Sequence, residues 1–208
     1  ARALGRGGHE VIVGAERQPC LASVSKYTAS YERLSAPIED SPAFEAELIE
    51  LVRRREIEVV LPITEVSTLL VTENQQRFPP FCRVPFPGAA VVANAANKSH
   101  VIQLAERLGV PIPNSVTVNS ATEGIARAGE LPLPIVVKPA RSRVRVGTAW
   151  SSTGVRYAGD VAELERILND LPMENYPVLL QERVPGPGVG LFACFDGGRP
   201  TPGPGTRS

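Results

Sequence analysis

Phe44, Leu48, Leu51 and Val52 recur at the spacing of one helical face, which predicts a helix over Ala43–Arg55 after the polar lead-in Glu39–Pro42. Short apolar runs predict strands at Glu10–Val13, Glu58–Ile63 and Cys82–Phe86, with helices over Val66–Gln76 and Ala89–Leu108. Strands alternating with helices at this spacing predict a parallel sheet with helices on its faces. Ala1–Gly8 reads as the end of a helix and its glycine stop, so the pattern predicts a first strand ahead of residue 1 and a chain that is part of a longer protein.

The pattern changes near residue 110. Gly109–Pro113 predicts a rigid connection, after which Ser115–Val118 reads as a strand and Ser120 with Glu123 as the cap of a short helix ending near Gly129. Pro134–Val137 is an apolar, β-branched run and predicts a strand buried on both faces. Arg141, Arg143 and Arg145 alternate with small and apolar residues before Gly147, predicting a polar hairpin loop over Arg141–Gly154 that leads to a strand at Val155–Tyr157. Asp160 and Glu163 cap a second helix with the stripe Val161, Leu164, Ile167 and Leu168. Strands at Val178–Val184 and Val189–Phe195, with a turn at Asp196–Gly198, complete an α+β module. Residues 199–208 are mostly proline, glycine, serine and threonine and predict a disordered tail.

Two positions carry candidate chemistry. Lys138 directly follows the buried run Pro134–Val137, so its ammonium must emerge at the sheet edge or be paired. Gln181 and Glu182 stand at the end of another buried strand. A cation beside exposed strand edges suits a nucleotide, with the ammonium for phosphate; the bland alternative is a lysine that ends a strand facing water.

Composition narrows the classes. With 208 residues, 43% of them hydrophobic, the chain can fill a sizeable core. Its 22 basic and 22 acidic residues balance, which gives no electrostatic case for a nucleic-acid or membrane partner. Cys20, Cys82 and Cys194 contain no CxxC pair, which argues against a disulfide framework or a thiolate zinc site, and His9 and His100 are the only histidines, so a histidine-rich metal site is excluded. These cysteines and the lack of an export signal predict a cytoplasmic protein. Gly5-Arg6-Gly7-Gly8 lacks the GxGxxG order and precedes its strand, which argues against a dinucleotide site.

Several short segments, taken in order, resemble the ATP-grasp superfamily, and most closely its carboxylate-amine ligase branch related to the carbamoyl-phosphate synthase large chain. They are Gly7-Gly8-His9-Glu10-Val11, Pro62-Ile63-Thr64-Glu65, Asn97-Lys98 with Leu104–Pro113, Val136-Val137-Lys138-Pro139, and Gln181–Gly186 with Gly190. The resemblance implies a Rossmann-like preATP-grasp domain over residues 1–113, lacking its first strand, then part of the ATP-binding domain over residues 114–198, before the tail at 199–208.

It also implies roles. Lys98 and Lys138 would reach ATP phosphates, Arg143 would supply a cation from the loop that closes over them, and Gln181, Glu182 and Val184 would form the linker beside the adenine. A charged, solvated hairpin is the alternative for the loop. Gly188 stands where several relatives carry an acid for the ribose, which leaves that contact without a matching residue. The parent reaction implied is ATP-dependent joining of a small-molecule carboxylate to an amine through an acylphosphate. Mg2+ would act in the complete parent through late acidic strands that have no counterpart here, so these residues alone are expected to be inactive, and no metal ligand is assigned among them. The alternative is a nucleotide-binding or regulatory module without catalysis.

Overall fold

The computed structural model describes residues 1–190, 193–196 and 198–201. The first half opens with α1 (Arg2–Arg6), followed by β1 (Ile12–Ala15) and β2 (Ser30–Arg33), which pair in parallel with Ile12 opposite Ser30. The first strand therefore lies two residues later than Glu10–Val13, and its partner Ser30–Arg33 has no strand-like pattern of its own. Leu34 N–H continues the ladder by donating to Ala15 O at 3.1 Å.

Helix α2 (Ser41–Arg54) begins where Asp40 accepts a hydrogen bond from Ala43 N–H and Pro42 occupies the first turn. Its apolar stripe meets α3 (Glu65–Glu73) in a core of Leu34, Phe44, Leu51, Val66 and Leu70. Thr64 and Ser67 form a reciprocal cap at the start of α3, which ends at Glu73, short of the expected Gln76. The strands expected at Glu58–Ile63 and Cys82–Phe86 reduce to one parallel bridge, Val59 with Arg83. Proline explains the short ladder: Pro62 and Pro85 have no N–H to donate.

The helix expected over Ala89–Leu108 is two helices, α4 (Ala89–Ala95) and α5 (Lys98–Arg107). Asn97 breaks it. The Asn97 side-chain oxygen Oδ1 accepts from the N–H groups of Ser99 (3.0 Å) and His100 (3.3 Å), so an asparagine in the middle of the apolar pattern starts a new helix.

From residue 115 to 182 the chain builds a four-stranded antiparallel sheet in the order β3 (Ser115–Val118), β8 (Val178–Glu182), β4 (Ile135–Pro139) and β7 (Arg156–Ala158). Helices α6 (Ala121–Ala126) and α7 (Val161–Asn169) cover one face. The caps read from sequence are present: Ser120 Oγ accepts from Glu123 N–H at 3.1 Å and Asp160 Oδ1 from Glu163 N–H at 2.8 Å. Val116, Val118, Ile135, Val137, Leu164, Ile167, Leu168, Val178 and Leu180 fill the space between helices and sheet. Gly124 makes this packing close, since a Cβ there would lie 2.6 Å from Leu168 Cδ1.

Alternation along the strands decides what the other face presents. With Ile135, Val137, Val178 and Leu180 turned to the helices, Lys138 on β4, Gln181 on β8 and Ser115 on β3 share the opposite face.

The segment Arg141–Gly154 is a hairpin of its own, β5 (Arg143–Val146) with β6 (Ala149–Ser152), turning at Gly147, whose φ is +63°. Beyond β8, β9 (Phe195–Asp196) pairs antiparallel with β10 (Arg199–Pro200). The strand expected over Val189–Phe195 is reduced to its last residue among those described, and its residues 191 and 192 lie outside them. Arg199 and Pro200 are paired where a disordered tail is expected, and residues 202–208 also lie outside the described residues. No helix of the described residues is long and apolar enough to cross a membrane.

Candidate functional site

The break at Asn97 makes Lys98 the first residue of α5, and its backbone N–H donates to Ala140 O at 2.8 Å. That bond ties the start of α5 to the residue following β4. Lys98 Nζ then donates to Ser142 Oγ at 2.8 Å and to Pro139 O at 3.3 Å.

Lys138 approaches from the sheet. Its Nζ donates to Gln181 Oε1 at 2.6 Å, and Gln181 Nε2 donates to Ser115 Oγ at 2.8 Å. In the ladder Gln181 faces Val136, two residues before Lys138, so the pair is a diagonal same-face contact that only long side chains can make. Gln181 is 6% exposed, and its partners fix the amide so that the oxygen faces the ammonium.

The two lysines influence each other. Half-burial lowers the Lys98 pKa below the ordinary lysine value; the carboxylate of Glu65 pulls it up, and the charge of Lys138 pushes it down. Neither lysine forms an ion pair among the described residues. The pair therefore retains a local excess of positive charge, and its hydrogen-bond acceptors are neutral dipoles: one hydroxyl, an amide and a backbone carbonyl. Such a spot attracts an anion with several charges, because each added negative oxygen offsets the lysine–lysine repulsion. Next in α5, the Ser99 hydroxyl is buried and has no hydrogen-bond partner among the described residues.

The structure thus brings Lys98, Lys138 and Gln181 together. Glu182 lies at the end of β8, where its carboxylate accepts from Asn114 N–H and Nδ2, both at 2.9 Å, and its own N–H donates to Asn114 O at 2.9 Å. Its side chain is fastened to the connection that enters β3 and does not contact the lysines. Val184 is 62% exposed, beyond the end of the strand. Arg143 lies on β5, half-buried, without an ion pair among the described residues. Ser115 was not expected as a site neighbour, and alternation on β3 is the signal that places it on the lysine face. Ser142 and Glu65 lie in segments that the sequence singles out, the loop Arg141–Gly154 and Pro62-Ile63-Thr64-Glu65, and tertiary packing brings them to Lys98.

Among the described residues no three His, Cys, Asp or Glu side chains converge as metal ligands. A cleft of about 590 Å³ at the ends of β1 and β2, lined by residues such as Arg17, Arg33, Glu39 and Glu47, is separate from the lysine pair.

No protein-family profile matches the sequence. Half of the chain, 106 residues, is 30% identical to the D-alanine–D-alanine ligase of Stutzerimonas stutzeri and covers 32% of that protein. A stretch of 108 residues, 51% of the chain, is 31% identical to the carbamoyl phosphate synthase large chain of Pyrococcus furiosus and covers 10% of it. In three dimensions 88% of the chain superposes on 42% of the biotin carboxylase of Campylobacter jejuni, solved as a complex with β-γ-ATP, at a TM-score of 0.65 and 17% identity. The mixed α/β architecture is that of the ATP-grasp fold. The chain thus has the fold of the ATP-grasp superfamily and is related over half of its length to D-alanine–D-alanine ligases and the carbamoyl phosphate synthase large chain. It spans about a third or less of the length of these curated relatives.

Proposed function

We propose that the chain is the nucleotide-binding part of an ATP-dependent ligase that joins a small-molecule carboxylate to an amine. The observation that carries this reading is the convergence of Lys98 and Lys138, without ion pairs among the described residues, at the meeting point of α5, β4 and β8. The curated relatives include D-alanine–D-alanine ligases, whose name describes carboxylate-amine joining. We divide the chain into a preATP-grasp domain, residues 1–113, and part of an ATP-grasp domain, residues 114–198. The second supplies all four strands of the antiparallel sheet.

Lys98 and Lys138 fit a polyphosphate because both are half-buried, held by neutral acceptors and close enough to repel each other. Lys138 would hold the α- and β-phosphates, with Gln181 and Ser115 fixing its direction. Lys98 would release Ser142 and Pro139 O to reach a phosphate oxygen. Arg143 would add a third cation from the hairpin, and the backbone of Gln181–Val184 would flank the adenine. When bound, ATP would supply the phosphoryl group that makes the carboxylate an acylphosphate, which an amine then attacks with loss of phosphate. The residues of this chain hold and neutralise charge on the transferring group. Mg2+ in the complete parent protein would share with these lysines the neutralisation of phosphate charge.

The test is ATP affinity by calorimetry or equilibrium dialysis, at fixed salt and magnesium, for wild type and Lys138→Ala. The reading requires tighter binding by wild type, with both proteins folded. Equal affinities would remove it.

A further inference from the structure

Trp150, the only tryptophan of the chain, leaves the ATP-grasp-like half and enters the other one. It stands on β6 of the hairpin and packs against the core of Leu34, Phe44, Leu51, Val66 and Leu70 formed by the first half. Its indole Nε1–H donates to Ser41 Oγ at 2.9 Å, and its backbone N–H donates to Ile38 O at 2.8 Å. Ser41, fully buried at the start of α2, donates its own N–H to Thr148 O at 3.2 Å. Arg145 stacks on the indole at 5.8 Å and pairs with Glu73 of α3 at 3.7 Å.

These contacts consume the groups a phosphate loop needs. Arg145 is spent on Glu73 and the indole. At the hairpin base, Ser142 Oγ and Pro139 O occupy Lys98 Nζ, taking two of its three protons. The hairpin is also a separate body. Its ladder is complete within itself, it shares no strand pairing with the four-stranded sheet, and Thr153 N–H closes its base on Ser142 O at 3.2 Å. Leaving the seat would break the docking bonds while costing no ladder hydrogen bond.

We propose that the hairpin Arg143–Ser152 is a latch: seated through Trp150 in the first half, it holds Arg145 away from a polyphosphate while Ser142 stays on Lys98, and nucleotide binding requires it to unseat. This rests on the reading of the lysine pair as a nucleotide site. Seating and binding then oppose each other, and whatever weakens the seat strengthens binding.

The single indole reports the latch directly. ATP is titrated into the 208-residue chain while Trp150 emission is recorded, and ATP affinity is measured separately by calorimetry for wild type, Ser41→Ala, Glu73→Gln and Trp150→Ala. Far-UV circular dichroism checks folding, and Ser41→Ala, which removes one hydroxyl, guards against a Trp150→Ala protein that does not fold. The latch predicts a red shift of Trp150 emission on binding. It also predicts ATP affinity raised by about 3- to 10-fold in Ser41→Ala, the range for losing one hydrogen bond of the seated state. ATP binding to wild type with unchanged emission, or no gain in affinity in the folded variants, overturns the latch and leaves the nucleotide reading intact. Absence of ATP binding in wild type and every folded variant overturns the nucleotide reading and the latch with it.

Discussion

Lys138 and Gln181 are joined across β4 and β8 by a 2.6 Å hydrogen bond in which the acceptor is a neutral amide. A carboxylate in the same place would hold the ammonium equally well but would cancel its charge and repel phosphate. Gln181→Glu is therefore expected to fold normally and to lose ATP affinity by about tenfold, near 1.4 kcal/mol. Calorimetric titration of the two proteins at equal salt measures this. An unchanged affinity would mean that Lys138 does not meet the nucleotide.

The two lysines share one proposed anion, which gives their variants a signature. Lys138→Ala and Lys98→Ala are each expected to weaken ATP binding by roughly 1–3 kcal/mol, the scale of a charge-assisted hydrogen bond. Because the charge of each lowers the ease with which the other is held, the double variant should lose less than the sum. A double-mutant cycle on ATP affinity checks the sign, and strict additivity would separate the two lysines into independent sites.

Stability should follow burial and ignore the lysines. Leu164 is fully buried between α7 and the sheet, so Leu164→Ala is expected to cost about 2–5 kcal/mol. Ile63, 88% exposed in the turn before α3, is expected to change stability by less than about 0.5 kcal/mol when replaced by alanine. Urea unfolding of both variants makes the comparison.

The second half was the more legible in the sequence, for a physical reason. Its caps at Ser120 and Asp160 and the stripe Leu164, Ile167 and Leu168 are local signals whose partners lie within a few residues. In the first half Ser30–Arg33 forms a strand only because Ile12–Ala15 lies beside it, and proline shortens the ladders that apolar content predicts at Glu58–Ile63 and Cys82–Phe86. Lys138 and Gln181 were legible because a polar residue after a buried run must emerge or be paired. Lys98 was reached only through the family resemblance, although Asn97, a strong helix-capping residue, marks its position. The engagement of Ser142 with Lys98 and the seating of Trp150 on Ser41 link positions far apart in the chain, and no local pattern encodes them.

Lys98 should also set the alkaline limit of nucleotide binding. Burial holds its pKa below the ordinary 10.5, and Lys138 pushes it the same way, against the smaller upward pull than burial from Glu65. An anion binds the charged form, so affinity is full while Lys98 is protonated and falls as pH rises through this lowered pKa. The decline should begin at lower pH than an ordinary lysine would give. Binding itself raises the pKa of Lys98, so ATP association in that range takes up protons. Arginine stays charged throughout, and Lys98→Arg is expected to hold its affinity across the same interval. The measurement is ATP affinity against pH for the two proteins in the alkaline range where the fold persists, with the heat of binding compared in buffers of different ionisation enthalpy. Parallel curves with no proton uptake by wild type would show that Lys98 does not hold the phosphate.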